Sequence, residues 1–86
     1  MKVSIVIPVY NEERFVGTVV RRVLESPLGD LGCESEIIVV DDCSSDGTWE
    51  ILRRLEKELG VQVLRHERNQ GKGAALRTGF EAVTGE

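Results

Sequence analysis

The chain has little of what marks a specialised class of protein. Cysteine occurs only at Cys33 and Cys43 in 86 residues, without metal-ligand spacing and with no further cysteine to complete a set. That excludes a disulfide scaffold and a zinc finger, and reads as a reduced, intracellular chain with two incidental thiols. Long apolar runs are missing too. The longest, Val3 to Val9 interrupted by Ser4, and Ile37 to Val40, fall far short of the ~20 residues a membrane helix needs. Pro8 and the acidic Asn11-Glu12-Glu13 close the first run before any signal-peptide h-region or cleavage site develops. Positive charge is in deficit, with 11 Lys and Arg against 15 Asp and Glu and a net charge of −4. With no basic stripe, nucleic acid is excluded as a sequence-independent partner. Histidine occurs once, at His66, beside Arg65, Glu67 and Arg68, where it reads as a solvated strand end.

What is present is an alternation of two periods. Val3 to Val9 is apolar and β-branched, as in a strand covered on both faces. Asn11 is placed to cap a helix with Glu12 and Glu13 in its first turn. Phe15, Val16, Val19, Val20, Val23 and Leu24 recur at helical spacing, and Pro27 and Gly29 end the run. Glu36 to Asp42 reads as the second strand. Asp46 to Leu59 reads as a second helix, with Trp49, Leu52, Leu55 and Leu59 on its core face and Gly60 as terminator. Val61 to His66 gives a third strand. From about Gln70, the residues Ala74, Ala75, Leu76, Gly79, Phe80 and Val83 outline a third helix ending near Gly85.

Strands separated by helices pair in parallel through right-handed crossovers. The expected fold is therefore α/β, a three-layer half-Rossmann unit of β-α-β-α-β-α with sheet order 3-2-1, in one domain spanning 1–86. The pattern calls for a fourth strand after Gly85-Glu86, so the expectation is a segment of a longer doubly wound domain. Its first strand would then form an open edge, and self-association through residues 3–9 is expected.

Several parallel-sheet chemistries are excluded by the loops. Pro8 to Glu12 follows the first strand where a dinucleotide fingerprint or a Walker loop would place glycines. Gly71-Lys72-Gly73 lacks the following Ser or Thr of a P-loop. No serine nucleophile elbow occurs.

The remaining polar residues gather after strand ends, where open α/β sheets bind ligands. The first loop offers Pro8, Tyr10 and Glu12, the second Asp41, Asp42, Ser44 and Asp46, and the third Asn69, Gly71, Lys72 and Gly73. An aromatic face, an acidic hydrogen-bond acceptor and a cationic or backbone N–H anion site together suit a nucleotide. Two members keep a second reading. Asp46 can cap the second helix, and Lys72 can be a solvated lysine at a helix start. Trp49 reads as core, and Arg77 as a helix-surface charge.

Val6-Ile7-Pro8-Val9-Tyr10-Asn11-Glu12, Val39-Val40-Asp41-Asp42-Cys43-Ser44-Ser45-Asp46-Gly47-Thr48 and Asn69-Gln70-Gly71-Lys72-Gly73-Ala74-Ala75 closely resemble, in order and spacing, family 2 glycosyltransferases of the GT-A fold. The third motif is most similar to the dolichol-phosphate mannosyltransferase and polyprenyl-phosphate glycosyltransferase branch. The resemblance implies that Pro8, Tyr10 and Glu12 line a nucleotide-sugar site, joined by Lys72. It implies that Val40, Asp41 and Asp42 flank base and ribose, Asp42 accepting from the ring N–H of uracil or guanine.

Such enzymes also carry an Asp-x-Asp element after a fourth strand, holding Mg2+ or Mn2+ on the diphosphate, and a later carboxylate base. Neither lies within these residues. The resemblance therefore implies the nucleotide-binding part of a transferase using a UDP- or GDP-sugar, with no catalytic or metal-binding residue in the chain and no transfer by these residues alone. The parent is expected in the cytoplasm or at the cytoplasmic face of a membrane. The rival is a non-catalytic α/β nucleotide-binding or scaffold module.

Overall fold

The computed structural model describes residues 2–25 and 34–83. Pro27, Gly29, Cys33 and Gly85, which carried expectations about the first helix, the thiols and the third helix, lie outside them. Strand β1 (Lys2–Val9), helix α1 (Val16–Leu24), strand β2 (Glu34–Asp41), helix α2 (Thr48–Leu59), strand β3 (Gln62–Arg65) and helix α3 (Lys72–Glu81) follow in order. The sheet is parallel throughout, with β2 between β1 and β3. This is the expected order, 3-2-1 read from the other edge.

Strands β1 and β2 are apolar on both faces because both faces are covered. Odd-numbered residues of β1 and β2, namely Ile5, Ile7, Val9, Ile37 and Val39, meet Val16 and Val20 of α1 and Leu52 and Leu55 of α2. Even-numbered residues turn the other way, so Val6, Ile38 and Val40 pack with Ala75 of α3. The approach of α3 to β1 is close. A Cβ added to Gly79 would stand 2.2 Å from Val6 Cγ1, so only glycine fits there.

Helix boundaries and faces depart from expectation at three places. Helix α1 starts at Val16, and neither Glu12 nor Glu13 lies in its first turn. Asn11, the expected cap, has φ +51°, a left-handed conformation that no helix contains and that asparagine tolerates. The apolar stripe of α1 is also narrower than its periodicity implies. Val16 and Val20 are buried and Val23 is partly so, while Phe15, Val19 and Leu24 are exposed. Phe80 likewise points outward from α3 at 63% exposure. One strand face cannot cover every apolar residue of a helix lying over it.

Helix α2 meets expectation more closely. Leu52 and Leu55 are buried, Trp49 and Leu59 pack against the same core, and Gly60 closes the helix with φ +73°. Trp49 also lies against two guanidinium groups, with Arg53 at 5.9 Å and Arg65 at 5.4 Å from its ring centroid.

Candidate functional site

The three loops leaving the carboxyl ends of the strands are tied together before any ligand is considered. Parallel register places Val9 beside Asp41 and Asp41 beside Arg65. The ladder runs one residue further, since Asp42 N donates to Val9 O and His66 N to Asp41 O, each at 2.9 Å. Asp41, Asp42 and His66 are therefore brought together by backbone pairing.

The second loop then grips the first. Asn11 N donates to Ser44 Oγ at 2.8 Å and Glu12 N to Thr48 Oγ1 at 2.9 Å. Asn11 Oδ1 accepts from Ser45 N at 2.8 Å, which is what its left-handed backbone achieves in place of helix capping. Asp46 Oδ1 accepts from Thr48 N at 2.9 Å, and its other oxygen receives Glu13 N at 3.4 Å. The Thr48 hydroxyl, ahead of burial and the backbone N–H groups, sets the balance that holds the Asp46 carboxyl below its usual range. Asp46 thus closes a turn just ahead of α2, whose N-cap is Gly47 without a side-chain cap bond, so the expected capping by Asp46 is not what forms.

Asp41 is wholly buried and its Oδ1 accepts from both the N–H and the hydroxyl of Ser44. Its Oδ2 has no hydrogen-bond partner. Arg65 Nε stands 3.7 Å away, too far for a hydrogen bond and near enough to offset the charge. Asp41 therefore braces Ser44, and through it Asn11. Val40 is likewise fully buried, in the core under α3. Val40 and Asp41, both expected to flank a base and ribose, are not among the residues lining the cleft described next.

A cleft of about 340 Å3 opens where the loops meet, lined chiefly by Pro8, Tyr10, Glu12, Asp42, Asn69 and Lys72. Five of the seven expected site residues converge here. Pro8 and Tyr10 offer apolar and aromatic surface, Tyr10 being 47% exposed. Glu12 and Lys72 are exposed charges of opposite sign. Asp42, at 4% exposure, is held from behind. Its Oδ1 accepts from Gln70 N at 2.9 Å and lies 2.7 Å from His66 Nδ1, while Oδ2 accepts from Gly71 N at 2.8 Å. Burial disfavours its charge, but the Gln70 N–H, the His66 ring and the Gly71 N–H outweigh it, and the carboxyl sits below its usual range.

Two expectations change as a result. The anion at the start of α3 is the chain's own Asp42, so the backbone N–H of Gly71 is already engaged and Lys72 is left as the cationic element. His66, expected as a solvated strand end, is 7% exposed and bonded at both ring nitrogens. The signal that could have found it is positional, since parallel register sets the residue after β3 beside the residue after β2.

The model of the family described as glycosyl transferase family 2 matches residues 4–86. The chain belongs to that family. Among similar relatives of this family 2 glycosyltransferase chain is the dolichol-phosphate mannosyltransferase of Pyrococcus furiosus, 37% identical over 86 residues, covering all of this chain and 24% of that protein. The undecaprenyl-phosphate 4-deoxy-4-formamido-L-arabinose transferase of Edwardsiella ictaluri is also 37% identical, over 98% of this chain and 26% of its own length. The chain thus spans about a quarter of these relatives. The likeness extends to GT-A structures. TarS of S. aureus (residues 1–349) in complex with UDP superposes with TM-score 0.80 at 29% identity, covering all of this chain and 25% of that one. The mannosyltransferase PcManGT of Pyrobaculum calidifontis, in complex with GDP-Man and Mn2+, gives 0.79 at 26% identity, covering 94% and 24%. Divalent metal is therefore used within this structural group. Among the described residues here, no three His, Cys, Asp or Glu side chains gather to hold a metal ion. No described helix is long and apolar enough to cross a membrane.

Proposed function

We propose that the cleft binds the nucleoside part of a UDP- or GDP-sugar for a glycosyltransferase whose acceptor is a polyprenyl phosphate. The observation that carries the reading is the convergence of Pro8, Tyr10, Glu12, Asp42 and Lys72 on one cleft at the carboxyl edge of the sheet. Its volume of about 340 Å3 is at the small end of the ~300–1,000 Å3 typical of ligand sites. That suits a base and ribose better than a whole nucleotide sugar. In this reading the base lies on Tyr10 and Pro8, Asp42 Oδ2 accepts its ring N–H, and Lys72 faces the phosphates. Asp41 acts indirectly, through Ser44 and the Tyr10–Glu12 loop. In the complete enzyme Mg2+ or Mn2+ would supply charge neutralisation on the departing diphosphate. On this reading the site lies in the cytoplasm or at the cytoplasmic face of the membrane carrying the acceptor, and relatives that act on polyprenyl phosphates support a membrane-associated enzyme.

Calorimetric titration of the intact protein with UDP, GDP, CDP and ADP tests this. UDP or GDP is expected to bind more tightly than CDP, because cytosine has no ring N–H to give Asp42. Equal affinity for all four, or none for any, would refute the reading.

A further inference from the structure

His66 is the only histidine of the chain and has no part in the binding scheme above. It is buried and joins two elements. Nδ1 lies 2.7 Å from Asp42 Oδ1, and Nε2 lies 2.7 Å from Thr78 Oγ1 on α3. An ionised carboxylate only accepts, so Nδ1 carries a hydrogen and donates to Asp42, while Nε2 shares a hydrogen bond with the Thr78 hydroxyl. His66 donates toward Asp42.

That direction matters at the carboxylate. Oδ1 receives both the His66 ring and Gln70 N, whereas Oδ2 receives Gly71 N. An ionised carboxylate offers about four lone-pair sites, so Oδ1 is saturated and Oδ2 keeps acceptor capacity on a residue that lines the cleft. The backbone donors come from one loop, and His66 comes from the end of β3. Together they fix the rotation of the carboxylate about its last bond.

From this geometry we infer that His66 is a positioning residue for base selection, holding Asp42 so that its remaining acceptor site meets a ring N–H of uracil or guanine. The inference rests on the nucleotide reading of the cleft. Without the Nδ1–H bond, Oδ1 regains acceptor capacity and the carboxylate is free to turn. The distinction between a ring N–H and the bare ring nitrogen of cytosine then weakens. Packing alone would make His66 matter for stability and leave base preference unchanged.

Two near-isosteres separate the two hydrogen bonds. The amide of asparagine reaches the place of Nδ1, and that of glutamine reaches the place of Nε2. In the intact protein, His66→Asn is expected to keep the preference of UDP or GDP over CDP to within about threefold, and His66→Gln to reduce it about tenfold. A preference that survives in His66→Gln, or is lost in His66→Asn, overturns the inference while the nucleotide reading stands. If the unsubstituted protein binds neither UDP nor GDP, the nucleotide reading fails first and the inference falls with it. A second measurement needs no substitution. The ring 15N resonances of the sole histidine are expected to show the Nδ1–H tautomer, and the Nδ1 signal is expected to move on saturation with UDP or GDP. An Nε2–H tautomer, or a signal unmoved by saturating nucleotide, overturns the role of His66.

Discussion

Asp42 serves two ends at once, and its substitution separates into two measurable losses. Its carboxylate accepts from Gln70 N and Gly71 N, one on each oxygen. Asparagine has a single acceptor oxygen, so Asp42→Asn leaves at least one of these N–H groups without its partner. A stability loss of about 1–3 kcal/mol is expected from denaturant unfolding. Nucleotide affinity is expected to fall further, by about 1.5–3 kcal/mol for the charge-assisted bond to the base. A variant of unchanged affinity would remove Asp42 from the binding site. The same carboxylate predicts an acid limb. Its folded pKa lies below the ordinary value, so its stabilising contribution is complete above the unfolded carboxyl pKa of about 3.9 and is lost as pH falls through the folded value. Melting temperature measured from pH 6 down to pH 2 should fall less steeply in Asp42→Asn than in the unsubstituted protein. At this scale the motif residues were readable in the sequence, because residue type limits chemistry. Their partners were not, since Asp42 and His66 stand 24 positions apart and meet only through strand register.

Among the elements, α3 carries the most information about the site. It brings Lys72 to the cleft, Thr78 to His66 and Gly79 against β1. A β-carbon at position 79 would collide with Val6 Cγ1, and Val6 is β-branched with no flexible end to move aside. Gly79→Ala therefore has to lift the helix. The overpacking cost of about 1–3 kcal/mol exceeds the ~1 kcal/mol that alanine gains over glycine in a helix. Net destabilisation is expected in thermal melts, with partial recovery in the Gly79→Ala, Val6→Ala double variant. A single variant more stable than the parent would show that α3 is not seated on β1 this closely. The existence of all three helices was legible from periodicity. Their start points and outward residues were not. Asn11 is spent on a cross-loop bond to Ser45, and Phe15 and Phe80 lie beyond what the sheet can cover.

Across the molecule, β1 forms one edge of the sheet, with no described strand beyond it. Its residues Ile5, Val6 and Ile7 pack against helices on both faces, while one row of backbone groups has no strand partner. Such an edge templates pairing with another chain. We propose that the 86-residue chain by itself self-associates through residues 3–7. Sedimentation is expected to show an average mass that rises with concentration, with slowed amide exchange in β1. A strict monomer at high concentration would refute it. Blocking the edge with Ile5→Lys is a poor test, because Ile5 packs against the core under α1 and α2, where a charge costs folding itself. What the sequence determined alone is the order of elements, the parallel three-stranded sheet and the family, because hydrophobic period, turn residues and motif spacing are local and survive without coordinates. Only the tertiary structure decided which carboxylate faces the cleft, that Asp41 is a brace, that Asp42 anchors the start of α3, and that His66 is buried between them. Those outcomes depend on strand register and on how closely a helix approaches a sheet, and both are settled by contacts between residues far apart in the chain.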